Sequence, residues 1–216
     1  MNFSSLFSQL MAGFGNTLLV FCLTLVFSLP LGLLVCFGRM SKFKPLRWLM
    51  QLLISILRGT PLMLQIIVVF FGPYYLFNMH LSGSYRVSAV LISFSINYAA
   101  YLAEIYRSGI QSIPKGQYEA AEALGYSKSQ TFFKIILPQM IKRVVPPVTN
   151  EVITLVKDTS LAFVISYTEM FTTAKQIAAA ETTVVPLFVA GVFYYIFNAV
   201  VAWGMARIEK GLAYYN

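Results

Sequence analysis

The 216-residue chain is 58% hydrophobic and only 11% charged, with a mean hydropathy of +0.71. No soluble domain of this size needs so much apolar surface, and several apolar runs reach the length of a membrane span. The net charge of +8 does not indicate nucleic-acid binding, because the basic residues lie in short stretches between the apolar runs. The composition therefore predicts a polytopic, all-α membrane protein.

The first predicted span covers residues 13–38, where Pro30 is expected to bend the helix. Four basic residues follow within nine positions: Arg39, Lys42, Lys44 and Arg47. Because basic residues concentrate in cytoplasmic loops, the N-terminus should lie outside and the loop after this span inside.

The next apolar region, residues 48–77, is too long for one span and is interrupted by Arg58-Gly59-Thr60-Pro61. This pattern predicts a helix on the membrane surface over 48–57, a turn, and a second span over 61–78. Arg58 is expected at the cytoplasmic interface, where its long side chain can reach water.

The third predicted span, residues 85–107, carries polar residues at helical spacing: Asn97, Tyr101, Glu104 and Ser108. Two interpretations of Glu104 are open, namely an ion pair with Arg107 three residues later and a functional role. Asn97 lies deeper and must hydrogen-bond inside the bundle, either to another helix or to a substrate.

Residues 108–137 predict a cytoplasmic hairpin of two short helices. Pro114 suits the first position of one helix, and Gly125 suits the left-handed residue that ends it. The small alanines between them would let another protein surface approach the backbone closely, as a docking element requires.

The second helix of this hairpin should start at Ser127, which forms a capping box with Gln130. Pro138 is expected to break that helix. The fourth span is then predicted over residues 138–157.

One face of the fourth span is polar, with residues at helical spacing: Pro147, Glu151, Thr154 and Asp158. Its apolar part, residues 144–156, covers only about 20 Å of a hydrocarbon core of roughly 30 Å. We therefore expect the helix to end inside the membrane at Lys157-Asp158-Thr159-Ser160. Such an interruption is tolerated where it lines a cavity, and in transporters it indicates the substrate site.

Glu151 is the strongest candidate for substrate binding. A carboxylate at membrane depth is costly and by default marks a functional site. It would attract an ammonium group, such as the α-amino group of an amino acid, while Lys157 or the unwound backbone beside it would meet the α-carboxylate. The alternative is a structural ion pair of Glu151 with Lys157 or with a basic residue of another helix.

Residues 168–183 predict an external amphipathic helix carrying Glu169, Lys175 and Glu181, and residues 184–207 predict the fifth span. This scheme places the N-terminus outside and the C-terminus inside. It puts thirteen of the 16 Lys and Arg residues on the cytoplasmic side, which supports the orientation independently.

No glycine in the chain is followed by lysine, so the phosphate-binding loop of ATPases cannot occur. One histidine, His80, and two cysteines on the same helix, Cys22 and Cys36, leave no thiol- or histidine-based catalytic set and no metal site. We expect a transport subunit that binds no cofactor, with an enzyme based on carboxylates alone as the remaining alternative.

Several motifs occur together and in order. They are Arg58-Gly59-Thr60-Pro61; Asn97, Ala100-Tyr101, Glu104 and Arg107; Gly109-Ile110, Ser112-Ile113 and Gly116-Gln117; Glu119-Ala120-Ala121 with Gly125 and Ile135-Ile136-Leu137-Pro138; and Asn150-Glu151 with Lys157-Asp158-Thr159-Ser160-Leu161. Over residues 11–210 the chain resembles the permease subunits of type I ABC importers for polar amino acids, the family of histidine, glutamine, arginine and cystine permeases.

The resemblance implies one transmembrane domain, 1–216, with five spans in the bacterial cytoplasmic membrane, paired with an identical or homologous permease. It also implies two copies of a cytoplasmic ATP-binding subunit, which hold ATP and Mg²⁺, and an extracytoplasmic substrate-binding protein. The partners are then these proteins, the amino acid and membrane lipid, with no nucleic acid. The residues expected to dock the ATPase are Glu119, Ala120, Ala121, Leu124, Gly125 and Pro138.

In that family the pocket lies about mid-membrane, with the acid of the Asn-Glu pair, here Glu151, beside the substrate amino group. The expected substrate-binding residues are Glu151, Asn97, Tyr98, Lys157, Asp158 and Thr154. Tyr98 is bulkier than the small residue often found there, so no particular amino acid can be transferred to this chain. Three alternatives remain: a permease for another small polar solute such as an opine or a sulfur compound, an ATPase-independent secondary carrier, and a signalling or scaffold protein using the same ATPase.

Overall fold

The computed structural model describes residues 3–79 and 82–212, and His80 lies outside them. Its α-helices are α1 (Phe3–Arg39), α2 (Lys44–Gly59), α3 (Leu62–Phe77), α4 (Tyr85–Gln111), α5 (Lys115–Ala123), α6 (Lys128–Thr131), α7 (Leu137–Asp158), α8 (Met170–Ala180) and α9 (Val185–Gly211). A π-helical turn, Phe132–Ile136, joins α6 to α7, and a 3-10 helix, Thr159–Ile165, follows α7. The prediction of an all-helical chain is confirmed for the described residues.

Among residues 3–79 and 82–212, three helices are long and apolar enough to cross a membrane: α1, α4 and α9. The pair α2 and α3 qualifies only when taken together. α7 is not in this group, because Lys142, Arg143 and Glu151 interrupt its apolar pattern. The five crossings and their orientation therefore stay predictions.

The main core forms where α1 packs along α4 and where α3, α7 and the 3-10 helix meet them. Val20 of α1, Phe94 of α4 and Leu155 of α7 are fully buried there. Gly32 lets α1 approach α4, since a Cβ at this position would lie 2.8 Å from Leu102 Cβ. This packing fixes α4, which carries the polar face described below.

α4 also crosses α7 closely, at Gly109. A Cβ at this position would overlap the buried side chain of Val144. Gly109→Ala should therefore lower the free energy of unfolding by about 1–3 kcal/mol, as overpacking does. Adding Val144→Ala should recover part of the loss, because the two residues are in contact.

Thermal unfolding of the detergent-solubilised protein measures this effect. Gly191→Ala is the control, because a Cβ at Gly191 meets no atom within 4 Å. Equal melting temperatures for Gly109→Ala and Gly191→Ala would contradict the close crossing.

α2 and α3 are separate helices that meet at 109°, which confirms the turn predicted between them. The Gln65 side chain holds the corner, because its Nε2 donates to the carbonyl oxygens of Leu57 (2.8 Å) and Thr60 (3.2 Å) and to Thr60 Oγ1 (2.9 Å). Ile54 is the buried residue of α2, so most of this helix is left exposed by its own chain.

α5 ends as the sequence predicted. Gly125 has a φ of +78°. The N–H groups of Gly125 and Tyr126 donate to the carbonyl oxygens of Glu122 (2.9 Å) and Ala121 (3.0 Å), which is the Schellman pattern. The start differs by one residue, because Pro114 precedes α5 instead of occupying its first position. Its extended ψ of 141° belongs to a residue that flanks a helix.

α6 starts at the predicted capping box, in which Ser127 Oγ accepts from the Gln130 N–H (3.3 Å) and Gln130 Oε1 accepts from the Ser127 N–H (2.9 Å). The prediction that Pro138 breaks this helix is wrong. The chain continues through the π-helical turn Phe132–Ile136 into α7, with Pro138 in the first turn of α7. The wide turn shifts the hydrogen-bond register where the proline supplies no N–H.

α7 is longer than its apolar part indicated. Its 22 residues span about 33 Å and cover the predicted fourth span, residues 138–157. The predicted interruption is confirmed in its position, because the α-helix ends at Asp158 and becomes the 3-10 helix Thr159–Ile165. The location of this interruption inside the membrane stays a prediction.

Glu169 is not the exposed charge that the sequence predicted for an amphipathic helix. Its side chain is fully buried, at 0% exposure, and caps α8. Its carboxylate accepts from the N–H groups of Phe171 (2.7 Å) and Thr172 (2.6 Å) and from the hydroxyls of Thr172 (2.8 Å) and Tyr194 (2.9 Å). Burial raises the pKa of Glu169, and these hydrogen bonds oppose the shift. The residue ties the start of α8 to α9.

Candidate substrate cavity and docking hairpin

A cavity of about 410 Å³ lies between α4 and α7, with the end of α2 on its wall. It brings three arginines together with two carboxylates: Arg58, Arg107, Arg143, Glu104 and Glu151. Tyr101, Ser108 and Ser112 add polar groups. A concave site of this size with groups of both charges has the chemistry to hold a small zwitterion.

Glu151 is half-buried on α7 and lines this cavity. Arg58 lines the same cavity, and its guanidinium lies 5.1 Å from the centroid of the Tyr101 ring, a cation–π contact that orients it. The sequence alone did not identify Arg58 as a residue of this cavity. The available signal is the Arg-Gly-Thr-Pro corner, since an arginine at a sharp turn between helices can point into the bundle.

The ion pair predicted between Glu104 and Arg107 is confirmed, with Arg107 Nη2 and Nε at 2.5 Å and 3.0 Å from Glu104 Oε2. Arg39 of α1 adds a second cation, its Nε lying 3.6 Å from Glu104 Oε1. Glu151 differs, because no Lys or Arg nitrogen within residues 3–79 and 82–212 forms an ion pair with it. The structural alternative for Glu151, an ion pair with Lys157 or with another helix, is therefore not formed among these residues.

Asn97 takes the interhelical role that the sequence left as one of two options. It is 5% exposed, and its Nδ2 donates to the Leu57 carbonyl oxygen (3.1 Å) and to Gln65 Oε1 (3.0 Å). It does not line the cavity around Glu151. Asn97 thus fastens the corner between α2 and α3 to α4.

The other predicted substrate-binding residues lie outside this cavity. The Tyr98 hydroxyl donates to Asp158 Oδ2 at 2.7 Å, which ties the end of α7 to α4. Thr154 and Lys157 are exposed in the single subunit. Glu151 therefore lines the cavity, while the polar group at the end of α7 does not.

The predicted docking residues lie on and beside α5. Most of them are exposed, namely Glu119, Ala120, Leu124 and Gly125, while Ala121 is buried and Pro138 is half-buried. Leu124 is 76% exposed, so the hairpin presents a large apolar side chain next to small and charged ones. Such a mixed, protruding surface suits a protein contact.

Arg143 connects this hairpin with the cavity. Its guanidinium donates to the carbonyl oxygen of Ser112, in the connection between α4 and α5, and the same side chain lines the cavity. Glu151 lies eight residues further along α7, about 12 Å away along the helix axis. Arg143 therefore contacts both the segment that leads into α5 and the cavity.

Residues 24–214 match a family model described as "Binding-protein-dependent transport system inner membrane component". The chain is 38% identical over 210 residues to the probable amino-acid ABC transporter permease protein YckA of Bacillus subtilis, covering 97% of this chain and 91% of the relative. It is 37% identical over 187 residues to the L-cystine transport system permease protein TcyB of the same organism, covering 86% and 78%. The crystal structure of an amino acid ABC transporter with histidines aligns at a TM-score of 0.86 and 27% identity, over 97% of this chain and 98% of that chain.

Proposed function

The chain belongs to the family of binding-protein-dependent transport system inner membrane components, and from that premise we propose that it is the permease subunit of an ATP-driven importer for a polar amino acid. It is a multi-pass protein of the bacterial cytoplasmic membrane and not an enzyme, and ATP hydrolysis belongs to a separate subunit. The cavity that holds Glu151 without an ion-pair partner among the described residues is the observation that carries the proposal.

Glu151 receives the substrate's ammonium group in this proposal, since a carboxylate in a membrane-protein cavity attracts a cation. Arg58 lines the same cavity and is placed to meet the α-carboxylate, a role for which the sequence suggested Lys157. Thr154 and Lys157 are exposed in the single subunit, so they would contact the substrate where a second permease completes the pocket. Asn97 and Tyr98 would act on the pocket indirectly, through the helices that they fasten.

The proposed topology has five crossings, with α7 as the fourth. α7 fails a purely apolar criterion because one of its faces lines a cavity, where polar and charged groups are tolerated. The charge distribution favours a cytoplasmic hairpin, an external N-terminus and an internal C-terminus. On this topology α5 faces the compartment in which ATP is available.

The proposed mechanism is alternating access. ATP binding closes a dimer of ATPase subunits, and α5 moves with that dimer as a rigid lever. ATP can shift the equilibrium between the inward- and outward-facing states only if the hairpin makes different contacts in the two nucleotide states. Arg143 transmits the displacement to α7. The cavity then opens outward, accepts the amino acid from the binding protein, and returns inward after hydrolysis.

The test is uptake into vesicles that contain this permease, its ATPase and a second permease, with a binding protein outside and ATP inside. We expect uptake of a polar amino acid that stops when the ATPase, the binding protein or ATP is omitted. Uptake that continued without the ATPase would instead identify a secondary carrier and would reject the proposal.

A further inference from the structure

A second cavity, of about 640 Å³, lies between α5 and the beginning of α7. Three cations line it: Lys134 of the π-helical turn, and Lys142 and Arg143 of α7. Among the described residues, none that lines this cavity is Asp or Glu. The transport mechanism proposed above gives no role to the two lysines.

The two lysines have no acidic partner in the part of the chain that the structure describes, where neither Lys134 nor Lys142 forms an ion pair. Lys142 is half-buried. Three like charges around one concavity repel each other, and an anion in the cavity would remove that repulsion.

The cavity lies on the side of α5 opposite Glu119, and Pro138 is the predicted docking residue on its wall. Gln117 lines the cavity and shares its helix face with the buried Ala121. Glu119 points about 200° away from Gln117 around the helix. Gln139 Nε2 of α7 donates to Gln117 Oε1 at 3.4 Å across the cavity wall. Glu119 and the cavity therefore lie on opposite sides of α5.

Apolar side chains flank the cations, as they do in proteins at the surface of a bilayer. Phe133, next to Lys134, is 62% exposed, and Ile141, next to Lys142, is 37% exposed. Ile135 and Pro138 form the apolar part of the wall. Lysines beside exposed apolar groups at the inner end of a membrane helix match an anionic headgroup together with its acyl chains.

We propose that this cavity binds the phosphate headgroup of an anionic phospholipid from the inner leaflet, held by Lys134, Lys142 and Arg143. The bound lipid supports the hairpin from its membrane side and so links the lipid composition to the coupling of ATP hydrolysis. The proposal rests on the cytoplasmic placement of the hairpin, but not on the identity of the solute.

The experiment uses the complete transporter in nanodiscs of phosphatidylcholine with increasing phosphatidylglycerol. Native mass spectrometry counts the retained phosphatidylglycerol, and ATPase activity is measured with the loaded binding protein. Lys134→Gln/Lys142→Gln should weaken phosphatidylglycerol retention by about fivefold for each lysine and should remove the dependence of ATPase activity on this lipid. The variant keeps Arg143 and its bond to Ser112.

Lys42→Gln/Lys44→Gln is the matched control, because it removes the same charge from exposed residues that do not line the cavity. Equal phosphatidylglycerol retention in the two double variants would overturn the proposal. Loss of the ATPase subunit from Lys134→Gln/Lys142→Gln would overturn it too, because the lysines would then bind the protein partner. Displacement of the retained lipid by millimolar inorganic phosphate would also overturn the proposal, because the cavity would then bind free phosphate. Uptake by the wild-type transporter tests the transport function separately.

Discussion

Glu151→Gln should strongly reduce amino-acid uptake while the permease stays folded and bound to its ATPase. The substitution preserves the shape of the side chain and removes the charge that would meet the substrate's ammonium group. Removing one partner of a desolvated charge pair costs about 2–5 kcal/mol, so apparent substrate affinity should fall by at least about 30-fold. Stimulation of the ATPase by substrate, and uptake into vesicles, both measure the loss.

Glu209→Gln provides the matched control, since it makes the same chemical change in α9, outside the cavity. A substrate analogue that lacks the α-amino group should lose far less affinity in Glu151→Gln than the amino acid does. If Glu151→Gln binds and transports every amino acid as well as the wild type, the assignment of the cavity is wrong.

Local sequence signals predicted the hairpin well, because the interactions that form it are close in the chain. The left-handed conformation of Gly125 and the capping box of Ser127 and Gln130 each depend on residues within one helical turn. The pairing of Glu104 with Arg107 is local in the same sense. The position of Glu151 in a cavity followed from the cost of an acid at membrane depth.

The features that the sequence did not predict depend on contacts between distant residues. Glu169 is buried because Tyr194 of α9 supplies a hydroxyl to its carboxylate. Arg58 enters the cavity because the corner between α2 and α3 turns its side chain toward Tyr101 of α4. The role of Asn97 depends on Gln65 lying opposite it, since the sequence pattern of a hydrogen bond to another helix is the same as that of one to a substrate.

Gly125→Asp should prevent the permease from engaging its ATPase. The expected loss is at least about 2 kcal/mol of binding free energy, the size of effect found at the centre of protein interfaces, or about 30-fold in affinity. Steric overlap within the subunit does not contribute, because a Cβ at Gly125 meets no atom within 4 Å. Co-purification of the ATPase with the permease and ATP-driven uptake are the measurements.

The φ of +78° at Gly125 makes the choice of control decisive. Asn and Asp tolerate the left-handed conformation better than other non-glycine residues, so Gly125→Asn carries the same backbone cost without the charge. A larger defect in Gly125→Asp than in Gly125→Asn would show that the ATPase surface rejects a negative charge at the end of α5. Equal defects would show that the ATPase surface needs a residue without a side chain at position 125. Glu119→Lys reverses a charge on the exposed side of α5 and should impair association with the ATPase as well. If Gly125→Asp and Glu119→Lys both left association and uptake intact, the hairpin could not be the docking element.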